Sequence, residues 1–392
     1  MTESDTIRPQ LDRWKARSFA VGAISLVLGF VGMHTFSDPV QFHRSFLFAF
    51  IFWMSFPLGC ISILMLHNLT GGWWGHPIRR FLEAGTRTFW LMAVLFVVNL
   101  LAMSKLYPWT QGTDKPWYLN RGFFTLRAAI YFTIWLLIAY FLNKWSAQQD
   151  RATDSREATR FSVYLEAMAG PAVILWGIAV TFSSVDWVMS LEPHWFSTIY
   201  GMIFMMVSTL AAMCFVLFIL RRFSDREPIS TAVTAAQFND LGNLVLAFLM
   251  LWAYLSFDQF LIIWAGNTKD EIPWYMSRAN GGWTAVAVAL IVLHFALPFF
   301  LLLQRRMKRR LRALSALAAM ILVMALVDVY WLVVPAWSKQ GPQLHITDLL
   351  AVLGIGGLWL GLYFMELAKR PLLPLHDPRF EGQGVLEHEH GD

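Results

Sequence analysis

The chain has 392 residues, 57% apolar and only 15% charged, against roughly 25% charged in an ordinary soluble domain. With 19 Trp and 32 Phe, that composition excludes an ordinary soluble domain and points to an all-α polytopic membrane protein. The net charge of +5 does not point to nucleic acid, because the basic residues cluster in particular loops, as membrane orientation requires. Cys60 and Cys214 both fall in apolar runs and supply no disulfide framework, no CxxC or CxxCH and no iron–sulfur ligand set.

Residues 1–17 are polar and read as a cytoplasmic N-terminal segment. The apolar stretch that follows is too long for a cleaved signal and has no small-residue cleavage site, so it is expected to remain in the membrane. A bilayer crossing needs about 20 mostly apolar residues. Ten runs qualify: Ser18–Phe36, Ser45–Leu66, Thr88–Ser104, Gly122–Leu142, Met168–Met189, Trp195–Leu220, Phe238–Trp264, Gly281–Leu303, Ala313–Pro335 and Ile346–Leu367. Pro57, Pro171 and Pro298 fall inside these runs and are expected to kink or cap them. Residues 18–368 thus form the membrane domain and 369–392 a cytoplasmic tail. Residues 143–167 are polar and expected as part helix, part loop. The tail, with Pro, Gly and acids, is expected to be extended, and its His388–Glu389–His390 run is a weak metal signal.

Placing the N-terminus inside puts 23 Lys and Arg in inner segments and 8 in outer ones. That asymmetry is expected to put both termini in the cytoplasm.

Depth along each helix follows from a rise of about 1.5 Å per residue. Asp258 lies about 9 Å from Trp264, Asp328 about 10 Å from Pro335, Asp186 about 6 Å from Ser190, and Arg127 about 9 Å beyond Arg121. Four ionisable groups from four helices therefore share one level near the outer face, with Glu192 and His194 in a short loop above them. A charge facing lipid at a helix centre costs roughly 2.5–3.5 kcal/mol or more, so these groups are expected to face a common polar pocket. One arginine cannot neutralise three carboxylates, and such groups can relay protons, hold a polar ligand or form structural pairs.

Asp240 precedes Asp258 by five helical turns, on one face and about 27 Å away. Asn243 and Tyr254 fall near that face, with Ala247 and Leu251 between. A polar inner mouth, a dry middle and a polar outer mouth suit two half-channels, with mid-span His294 as the nearest group to bridge the gap. "SSVDWVMSLEPHW" and "LSFDQF…DEIPWY" echo one another and hint at two related bundles.

The stretches WYLNRGFFTLRAAIYF (Trp117–Phe132), VDWVMSLEPHWFSTIYG (Val185–Gly201) and LSFDQFLIIWAGNTKDEIPWYMSR (Leu255–Arg278) resemble the ActF subunit of bacterial alternative complex III, within the NrfD-like (PsrC-like) membrane family. The resemblance covers nearly all ten runs. It implies two four-helix bundles plus flanking helices and a subunit without its own redox cofactor. It also implies partners: an ActC-like paralogue, an iron–sulfur subunit and multihaem cytochrome c subunits that carry the clusters and c-type haems. Menaquinol or ubiquinol would be the electron donor. Two other readings stand beside it: a quinol-binding NrfD-like subunit whose outer polar pocket meets the head group, and a stand-alone secondary transporter. The last is disfavoured because no Gly/Pro-broken pair of helices appears at mid-depth.

Overall fold

The computed structural model describes residues 3–35, 39–113, 115–374 and 376–378. Among them all regular structure is helical, and ten helices are long and apolar enough to cross a bilayer. Spans 1 to 10 run Ile7–Gly32, Val40–Thr70, Arg79–Leu101, Arg121–Gln149, Ser155–Leu191, Tyr200–Leu220, Ala235–Gly266, Trp283–Leu303, Leu311–Ala336 and Ile346–Leu367. Every apolar run seen in the sequence is one of these helices. Several ends reach further than hydropathy shows, while span 6 starts later, at Tyr200 rather than Trp195. Spans 4 and 7 have 29 and 32 residues, which is about 44–48 Å of helix against roughly 30 Å of hydrocarbon. The polar turns at their ends are helical too.

The same effect removes the expected separation at the N-terminus. The helix of span 1 already runs from Glu3, Ile7 and Leu11 are buried, and Trp14 packs on Phe223 and Phe364. Residues 143–167 are nearly all helix: only 150–154 break it, with the Asp154 side chain capping the Glu157 N–H to start span 5. Phe36 and the His388–His390 run lie outside the described residues.

Pro57 and Pro171 sit inside unbroken helices. Pro298 does not. It follows a π-helical turn over Leu290–Ala296. Proline offers no N–H to the His294 carbonyl four residues back, and the wider turn is where the ladder changes register.

Spans 2–5 pack as one four-helix bundle and spans 6–9 as a second. Spans 2 and 6 meet at the seam, while spans 1 and 10 pair with each other and lie against span 2. Small residues set these contacts, because helices approach closely only where side chains are small. A Cβ added at Gly59 on span 2 would stand 2.0 Å from the Ser208 carbonyl oxygen of span 6. One added at Gly357 on span 10 would stand 2.4 Å from the Gly22 nitrogen of span 1. Both obstacles are backbone and cannot swing aside. Gly357→Val is therefore expected to prise span 1 from span 10, at a cost at or above the ~1–3 kcal/mol typical of overpacking. A lowered midpoint of thermal unfolding in detergent checks this; an unchanged midpoint would mean that the two helices do not touch.

Candidate functional site

Spans 6, 8 and 10, at 21, 21 and 22 residues, are each about 32 Å long and match the hydrocarbon thickness. Their ends mark its two faces, called outer and inner here in the sense of the charge asymmetry. Against these marks span 7 can be placed. Ser197, three residues before span 6 begins, donates to Gln259 Oε1 at 3.0 Å. Asp258 is thus at the outer boundary, not a further 9 Å or so within. At the other end Lys308, beyond span 8, donates to Asn243 Oδ1 at 2.7 Å, so Asp240 lies at the inner boundary. The distance between the two acids, about 27 Å, is the hydrocarbon thickness itself.

Their direction also differs from the expectation. Asp240, Asn243, Ala247, Leu251 and Tyr254 are all exposed and Asp258 is half-buried. This face of span 7 turns away from the bundle. Asp186 is bonded by Arg127 and Tyr131 and Asp328 by Trp252 alone, while Asp258 has no side-chain hydrogen bond or ion pair among the described residues. The expected common pocket is not formed: the acids occur in three separate settings, at different depths and on helix faces turned in different directions.

In the first bundle Asp186, 1% exposed, is fully engaged. Arg127 grips it with two bonds, Nε to Oδ2 at 2.7 Å and an Nη to Oδ1 at 2.8 Å. The Tyr131 hydroxyl adds a third at 2.7 Å. Arg127 also donates to the Tyr118 carbonyl at 3.0 Å and stacks on the Tyr118 ring. The planar fork of arginine suits this two-point grip. The result is a clamp between spans 4 and 5.

Above the second bundle lies a group the sequence reading passed over. Arg278, on the short helix Ile272–Ala279, is buried and donates to the carbonyls of Trp331 and Leu332. It lies 3.7 Å above the Trp274 ring and pairs with half-buried Glu192 at 3.4 Å. Burial pushes its guanidinium below the ordinary arginine value, and Glu192 partly offsets that. Trp274 stacks on Trp195 at 4.6 Å, so the tryptophans of the two echoing stretches meet face to face. The echo marks a contact between the 5–6 and 7–8 loops; the helices that precede it hold different places in their bundles. His194 is exposed beside this lid.

Deeper in the same bundle the remaining acid finds an indole. Asp328 on span 9 is 4% exposed and accepts a hydrogen bond from Trp252 Nε1 at 2.9 Å. Trp252 is near the midpoint of span 7, and its ring lies 4.3 Å from the imidazole of His294. His294 is 1% exposed, sits on the π turn near the midpoint of span 8, and its Nδ1 has no hydrogen-bond partner among the described residues. Asp328, Trp252 and His294 thus form a chain across three helices, with His294 about 14–17 Å from the two ends of its span. Trp252 could have been noticed: tryptophan usually gathers at the membrane faces, and one at mid-span needs an acceptor for its N–H.

A second missed network lies at the inner end of the first bundle. Glu83, 3% exposed, receives Arg79 at 3.1 Å, Arg80 at 2.8 Å and Arg370 at 3.1 Å. Arg79 continues to Asp377 and Gln149, and Arg80 to Asp150 and Ser146. Arg87 bonds Asn143 at 2.7 Å and lies 3.7 Å from Glu366. Arg370 is pulled down to about 10 by burial, with Glu83 opposing. The run RRFLE carried the signal, since arginines three and four residues before a glutamate share its helix face. The start of the expected tail is pinned by this network and is part of the folded body.

Fold and composition together define a multi-pass, all-helical membrane protein. No protein-family model matches the chain, and no curated protein matches it either. Among the described residues no group of three or more His, Cys, Asp or Glu is placed to hold a metal ion.

Proposed function

We propose that the chain is a cofactor-free integral subunit of a quinol-oxidising electron-transfer complex of the alternative complex III type. In this reading it scaffolds an ActC-like paralogue, an iron–sulfur subunit and multihaem cytochromes c, which hold the redox centres, and it passes protons between two half-channels. The resemblance of residues 117–132, 185–201 and 255–278 to ActF supports the assignment to such a complex. The observation that carries the proton role is the ionisable pair Asp328 and His294, buried on either side of Trp252 at the dry level of the second bundle. Ionisable groups at such depth usually mark a transport path. Asp240 and Asp258 then stand at the two membrane faces rather than within the path.

Asp328→Asn keeps an acceptor for the Trp252 N–H but cannot exchange a proton. It is expected to leave assembly and quinol oxidation in place and to lower the number of protons moved per electron by the intact complex. An unchanged ratio in a fully assembled complex would remove the proton role.

One observation favours the quinol-binding alternative. A narrow, mainly apolar cleft, about 290 Å³ counted with its open mouth and lined by Ser55, Ser183, Ser184, Trp187 and Ser208 among others, lies between spans 2, 5 and 6 beside the Asp186 clamp. Photolabelling with a quinol analogue that marks Ser184 or Trp187 would select it.

A further inference from the structure

The starts of spans 2 and 10 and the end of span 9 meet at the outer face around a cleft of about 350 Å³, counted with its open mouth. Gln41, Arg44, Trp337, Gln343, His345 and Asp348 line it. Arg44 is the unexplained member. Its Nε is buried and has no hydrogen-bond partner, and it forms no ion pair among the described residues. Its one contact of note is with the Trp337 ring, 5.8 Å away. A buried guanidinium N–H without an acceptor is costly, and its fork geometry matches a phosphate.

We infer that this cleft holds the head group of a zwitterionic phospholipid, with the phosphate on Arg44 and the amine turned toward Asp348. Asp348 accepts from the Ser45 hydroxyl at 2.5 Å and from the His345 N–H at 2.9 Å. Each carboxylate oxygen keeps a further lone pair for an ammonium. One guanidinium and one carboxylate give a lining with no formal net charge, which favours a phosphate–amine pair over an anionic lipid.

Position separates a lipid from free phosphate. The cleft stands at the membrane face, where Trp337 takes the place of an interfacial aromatic. From its edge span 10 exposes Ile346, Leu349 and Leu353, at 63%, 55% and 42%. Their spacing of three and four residues makes a single apolar stripe, a track for an acyl chain leaving the head group.

The test is native mass spectrometry of the full chain, delipidated in mild detergent and offered phosphatidylethanolamine, phosphatidylglycerol, glycerophosphoethanolamine or inorganic phosphate. One phosphatidylethanolamine per chain is expected, bound more tightly than the other three. Arg44→Gln is expected to weaken it at least about tenfold, and Arg44→Lys less, since a lysine keeps the charge but loses the fork. Arg44 makes no hydrogen bond among the described residues, so both variants should fold; if Arg44→Gln does not, Arg44→Lys carries the test through its own weakening. Binding unchanged by these substitutions overturns the site. Inorganic phosphate or glycerophosphoethanolamine competing as well as the lipid overturns the lipid source, and a preference for phosphatidylglycerol overturns the zwitterion.

Discussion

Glu83→Gln is expected to destabilise the chain by about 3–5 kcal/mol, the usual result of removing one partner from a buried ion pair. Glu83 is the hub on which Arg79, Arg80 and Arg370 converge. The network balances four arginines, at 79, 80, 87 and 370, against Glu83, Asp150, Glu366 and Asp377. Neutralising the hub leaves an excess buried cation. The glutamine amide also turns a donor toward guanidinium groups that can only donate. Two readouts are expected to move together: a lower thermal unfolding midpoint, and faster proteolysis near Arg370, because the segment after span 10 is held by Arg370 and Asp377. Asp150→Asn removes a partner at the rim, where the side chain is 14% exposed, and should cost less. Equal losses for the two variants would mean that Glu83 is not the hub.

The clamp in the first bundle should respond in the same way, and its repair should be visible. Arg127→Met leaves Asp186 buried with the Tyr131 hydroxyl as its remaining side-chain partner. A loss of about 3 kcal/mol is expected, near the lower end of the range for broken buried pairs, since Arg127 is 15% exposed. Removing the second charge as well should recover more than half of that, because an apolar pair needs no desolvation of ions. Arg127→Met with Asp186→Leu is thus expected to be more stable than Arg127→Met alone, as read from unfolding midpoints. A double variant worse than either single one would show that the ion pair contributes net stability.

The ten crossings were legible because each buries or exposes to lipid a run of apolar residues long enough for the bilayer, and nothing else in a chain has that length. The two-bundle arrangement came from the resemblance, with a hint from the echoing loop stretches, and the packing of spans 2–5 and 6–9 agrees with it. What failed was the third dimension. Residue counting approximates the height of Asp186, but the azimuth of all three acids depends on how each helix is rotated against its neighbours. Counting also started from the ends of apolar runs, while span 7 continues as helix past both faces, which is why Asp258 came out too deep. Asp328 was expected among charged groups, but its partner Trp252 is uncharged and drew no notice. The buried arginines at 79, 80 and 278 were read as loop charges, because sequence alone does not say which loops fold back onto the bundle.

The central claim is membership of a redox complex, and isolation of the tagged chain from its native membrane in mild detergent tests it most directly. The account predicts that the chain comes away in fixed proportion with partners bearing c-type haem and iron–sulfur centres, and that the isolate oxidises a quinol. A chain that emerges alone, folded and without haem absorbance in the fractions that hold it, would contradict the account.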